Sequence, residues 1–149
     1  MFERVDDRVS VIFSPEERSL LGQIPDLLDN VTEENDPGFA VLHRPLYPDD
    51  PDSSAELAGL IDRDLQRERD RDRSVISRIA SGERTVSNQD ARRFLRSINE
   101  ARIVLAARAG AFEVDASWEQ NISTEPALAA VAWLGYVQGE LIEALSDDR

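Results

Sequence analysis

Apolar residues in this chain recur mostly at intervals of three and four, the spacing of one helix face. Leu20, Leu21, Ile24, Leu27, Leu28 and Val31 form the first such stripe. Ser14-Pro15-Glu16-Glu17 precedes it as a helix start: Ser14 caps, Pro15 suits the first helical position, and Glu17 completes a capping box. The pattern predicts a first helix over residues 15–31. A second is predicted from Asp50-Pro51, with Leu57, Leu60, Ile61 and Leu65 as its stripe. Val75, Ile76 and Ile79 resume that face, and Gly82 supplies the stop. A third begins at Val86-Ser87-Asn88-Gln89-Asp90, where Ser87 caps and Val86 can staple onto Ala91. Ala91, Phe94, Leu95, Ile98, Ala101 and Leu105 line one side, and Ile103 and Val104 widen it, which predicts a central helix ended by Gly110. A fourth starts near Ser123-Thr124-Glu125-Pro126 and carries Leu128, Val131, Leu134, Val137, Leu141, Ile142 and Leu145, broadened by Trp133 and Tyr136.

Only the N-terminal stretch alternates. Residues 4–13, with Val9 and Val11 between polar neighbours, read as one short strand that needs a partner. Residues 39–42 are one candidate. They lie in a long connection, 32–50, that contains the turn signal Asn35-Asp36-Pro37-Gly38 but also Phe39, Val41, Leu42, Leu46 and Tyr47, so it is expected to pack on the body. Residues 111–121 read as irregular, and the acidic C-terminal residues as frayed. No internal repeat or domain boundary is visible. The chain, residues 1–149, is therefore expected to be a single mainly α domain: a compact bundle of about four helices with a short N-terminal strand or hairpin.

Charge changes the picture at two places. Residues 66–73 contain no apolar residue and alternate in sign, which predicts a solvated helical stretch laced by pairs three or four apart. The third helix carries Arg92, Arg93, Arg96, Asn99, Arg102 and Arg108 against only Asp90 and Glu100. Arg92, Arg96 and Asn99 share a side at helical spacing. They can anchor acidic neighbours inside the fold, or contact phosphate or an acidic partner. The whole chain sets 30 acids against 17 bases, all arginine, for a net charge of -13. Such a balance opposes non-specific nucleic-acid binding and suits a basic protein partner. An all-arginine composition fits a GC-rich genome, and arginine forms planar bidentate pairs with carboxylates.

Residue types then exclude chemistry. There is no cysteine, hence no disulfide, thiolate site or thiol switch within the chain. The one histidine, His43, sits in the Pro-stiffened run His43-Arg44-Pro45-Leu46-Tyr47-Pro48 and reads as a loop residue rather than a base. The seven glycines are scattered and make neither a phosphate-binding loop nor a nucleophile elbow. Acid pairs at Asp49/Asp50/Asp52, Asp62/Asp64 and Asp147/Asp148 read as a cap, a solvated face and a tail. A non-enzymatic protein without catalytic residue, cofactor or metal is expected. The start MFERVDDRVSVIF lacks a basic region followed by an apolar stretch, and no apolar run approaches the ~20 residues of a bilayer span, so a cytoplasmic protein without membrane association is expected.

Three segments in one order carry a resemblance. They are Tyr47-Pro48-Asp49-Asp50-Pro51; Leu95, Asn99, Arg102, Leu105 and Arg108 on the third helix; and Trp133-Leu134-Gly135-Tyr136-Val137-Gln138 on the fourth. Together they resemble an actinobacterial family long catalogued as a domain of unknown function and described as the oxidative-stress transcriptional regulator AosR. The similarity runs from the N-terminal strand to Leu145. It implies a cytoplasmic transcription regulator without enzymatic activity, acting in the oxidative-stress response through a sigma factor or RNA polymerase. A redox-sensing member needs cysteines, and this chain has none, so a thiol switch is not available to it. Two other modes stand beside protein contact. One is direct DNA binding, with residues 87–96 at the start of the third helix reaching base edges. The other is an adaptor homodimer using apolar surface near Trp133 and Tyr136 or the strand edge. The candidate partner-binding residues are Arg92, Arg96, Asn99, Arg102, Trp133 and Tyr136.

Overall fold

The computed structural model describes residues 1–30, 51–108 and 126–146, the side chains of 51–63 and 126–127 excepted. The described elements are β1 (Phe2–Val5), β2 (Arg8–Val11), α1 (Pro15–Leu21), α2 (Ile24–Asp29), α3 (Pro51–Ala80), β3 (Thr85–Ser87), α4 (Asn88–Arg108) and α5 (Pro126–Ser146). The fold is mainly α, a helical bundle with a small antiparallel sheet at its N-terminal end.

The single N-terminal strand expected over 4–13 is instead a hairpin, because Asp6 and Asp7 turn the chain. Asp6 takes φ 58°, a left-handed conformation that aspartate tolerates better than most residues. The strands run in the order β1-β2-β3. Val9 faces Val86 in the β2–β3 ladder and Arg4 in the β1–β2 ladder, so the extended partner comes from residues 85–87. The proposed partner segment 39–42 lies outside the described residues. One sheet face carries Phe2, Val9, Val11 and Val86 toward the helices; the other presents Glu3, Val5, Arg8, Ser10 and Thr85.

The capping box at Ser14 forms as expected: Ser14 Oγ accepts from Glu17 N at 3.1 Å, and Ser14 N donates to Glu17 Oε1 at 2.9 Å. The helix that follows does not run on to residue 31. It closes at Gly22 and restarts at Ile24. Pro25 is the reason, since it has no N–H to give the Leu21 carbonyl and its ring collides with that carbonyl in a continuous helix. The apolar stripe survives the break, with Leu21, Ile24 and Leu28 all buried.

α3 ends as Gly82 predicted. Gly82 N donates to Ile79 O and Glu83 N to Arg78 O, both at 3.1 Å, with Gly82 at φ 120°. Arg18 reaches across from α1 to donate to the Ile79 and Glu83 carbonyls, placing a cation on the negative end of α3. Arg4 does the same for α5, with Nη1 3.1 Å from Leu145 O. Ser87 caps α4 through Asp90 N at 3.1 Å.

α4 is the central helix. It packs against α3 on one side, α5 on another, and touches α2 and the sheet. Phe94, Ile98, Ala101 and Val104 from α4 meet Val75, Ile76 and Ile79 of α3, and Leu134, Val137 and Leu141 of α5, in one core. Phe13 joins the layers: its ring centroid lies 5.5 Å from Phe2, 6.2 Å from Phe94 and 6.4 Å from Trp133. Leu65, expected on a core stripe, remains half exposed. α5 comes nearer to a spanning length than the sequence reading held: Leu128–Ser146 has mean hydropathy 1.2 and is long and apolar enough to cross a membrane by length and composition alone.

Candidate interaction surface

The most organised polar feature is a layer of ion pairs between α3 and α4. On α3, Glu68 and Asp72 stand four residues apart and so share a face; on α4, Arg93 and Arg96 stand three apart and meet them. Asp72 is only 4% exposed. It accepts Arg96 Nε at 3.0 Å and Arg96 Nη2 at 2.7 Å, a bidentate pair, and Arg93 Nη1 approaches at 3.8 Å. Arg93 also reaches Glu68 at 3.3 Å and Asp90 at 3.9 Å. Arg78 at the end of α3 bridges Glu83 at 2.8 Å and Asp90 at 2.5 Å. Arg73 pairs with Asp29 of α2, and Arg69 approaches Glu100 at 4.0 Å.

This corrects the reading of residues 66–73 as wholly solvated. The segment does carry exposed pairs of the expected kind, Arg71–Glu68 at 2.8 Å and Gln66–Asp70 at 2.9 Å. Asp70 is exposed, whereas Asp72 is turned into the helix interface. Alternating charges on a helix point in all directions, and only the neighbouring helix decides which is covered.

The electrostatics follow the geometry. The hydrogen bonds to Asp72 raise the Arg96 pKa against the opposing effect of desolvation, and those to Asp90 do the same for Arg78. Burial raises the Glu100 carboxyl above its ordinary range, with Arg69 and Arg73 pulling it partly back. The layer locks two helices together and neutralises charge internally. Among the described residues, no group of three His, Cys, Asp or Glu is placed to hold a metal ion.

The candidate partner-binding residues are dispersed by this arrangement. Arg92 is exposed and makes no ion pair among the described residues. Arg96 remains 54% exposed but is held by Asp72. Asn99 turns the other way, toward α5, so the shared face expected for Arg92, Arg96 and Asn99 divides between two helices. Arg102 Nη1 donates to Gln138 Oε1 at 2.6 Å, and Gln138 Nε2 donates to Asn99 Oδ1 at 3.1 Å. The two resembling segments described here thus meet through one glutamine, which uses both ends of its amide. The segment around Tyr47 lies outside the described residues apart from Pro51. Trp133 is half buried against Phe13, while Tyr136 is 58% exposed.

Reading the sequence did not find Asp72, Glu100 or Gln138. The signal for Gln138 was present in its place within the resembling segment; for the two acids there was none, because their partners are remote. A groove of about 590 Å³ also opens between the α1–α2 junction and α5. Leu20, Ile24, Leu27, Leu105 and Trp133 line it, with Gln23 and Asp26 at its edge.

The fold defines a mainly α protein with a small N-terminal antiparallel sheet, in which ion pairs centred on buried Asp72 tie α3 to α4. The chain belongs to the family Domain of unknown function (DUF2017), whose model matches residues 1–145. No curated protein and no solved structure matches it.

Proposed function

We propose that this chain is a non-enzymatic regulator of the oxidative-stress response that works by protein contact, with a sigma factor or RNA polymerase as its partner. The partner and the pathway come from the resemblance to AosR. The mode of action has physical support. The observation that carries it is the pairing of α4: Arg93 and Arg96 face Glu68, Asp72 and Asp90 at 2.7–3.9 Å, so the most basic helix has its central cations engaged inside the fold. A nucleic-acid stripe needs unmatched cations to displace counterions from phosphates. What surrounds those pairs is the surface of a chain of net charge -13. Such a surface steers toward basic protein patches and away from the DNA that the polymerase itself holds.

No thiol signal enters this mechanism, because no cysteine is present. The chain acts by occupancy of its partner. Its test is equilibrium binding to purified sigma factor and to core polymerase, measured side by side by fluorescence anisotropy of N-terminally labelled chain. Saturable binding to one of them that weakens with added salt is the expected result. Absence of binding to both overturns the proposal.

A further inference from the structure

We draw no further inference here: the strongest candidate, the apolar groove of about 590 Å³ between the α1–α2 junction and α5 that Leu20, Leu27, Leu105 and Trp133 line, carries nothing because no feature of the structure shows what covers it.

Discussion

Removing the Asp72 carboxylate should be among the most damaging single changes available on the polar side of this fold. In Asp72→Ala the two hydrogen bonds from Arg96, at 3.0 and 2.7 Å, disappear together with the 3.8 Å approach of Arg93. Hydrogen bonds between charged groups contribute roughly 1.5–3 kcal/mol each, and breaking a fully buried ion pair costs about 3–5 kcal/mol. Two features lower the figure here. Arg96 is 54% exposed, so water rehydrates its guanidinium, and Arg93 keeps Glu68 at 3.3 Å. The expected loss is about 2 kcal/mol after discounting for solvent screening. For a chain of this size that lowers Tm by roughly 4–8 °C. Urea unfolding followed by far-ultraviolet circular dichroism measures it, with Arg96→Ala and the double variant completing a cycle. The single losses should not add, leaving a coupling of about 1 kcal/mol or more between the two sites. A cost for Asp72→Ala below about 0.5 kcal/mol, the level of an ordinary surface change, refutes the claim that this pair ties α3 to α4.

Gly82→Ala places a Cβ at φ 120°, a conformation that L residues avoid, and should cost roughly 1–3 kcal/mol in the same unfolding assay although nothing lies within 4 Å of the new atom. Ser14→Ala removes the acceptor for Glu17 N and should cost about 1 kcal/mol, seen as a lower urea midpoint with an unchanged slope. Glu100 carries a pKa raised by burial, so its folded form holds a proton more tightly than its unfolded form. Its contribution is therefore fully present below the unfolded pKa and is lost as pH rises through the folded one. Glu100→Gln should accordingly gain on the native chain most at neutral pH, and the difference should shrink as pH falls through the carboxyl range. A gap that widens on acidification contradicts the direction of the shift.

Features set by neighbours in sequence were the legible ones. Ser14, Pro15 and Glu17 announce a helix start that forms with both reciprocal hydrogen bonds. Gly82 and Ser87 mark the end of one helix and the start of the next, and the stripe from Ala91 to Val104 identifies the helix that packs against α2, α3 and α5. What was not legible depends on distant partners. A strand or hairpin was expected at the N-terminus and a hairpin forms, but the third strand was not legible, because β2 is held on its second side by residues 85–87, far along the chain. The break before Ile24 has a local cause in Pro25, but the apolar stripe continues across it and by itself predicts one unbroken helix. Asp72 and Glu100 look like any other acid on a charged helix until α3 and α4 are laid together. The candidate residues fared likewise: their positions on α4 and α5 could be read from spacing, but not that Arg96 turns to Asp72 while Asn99 and Arg102 turn to Gln138.

Titration of duplex DNA into the native chain across a series of low salt concentrations most directly probes whether α4 keeps its cations for the fold. With Arg93 and Arg96 held by acids of α3 and a net charge of -13, no saturable complex should form even at the lowest ionic strength. A saturable complex whose log affinity falls linearly with log salt, and which disappears when Arg92 and Arg102 are replaced by alanine, contradicts it.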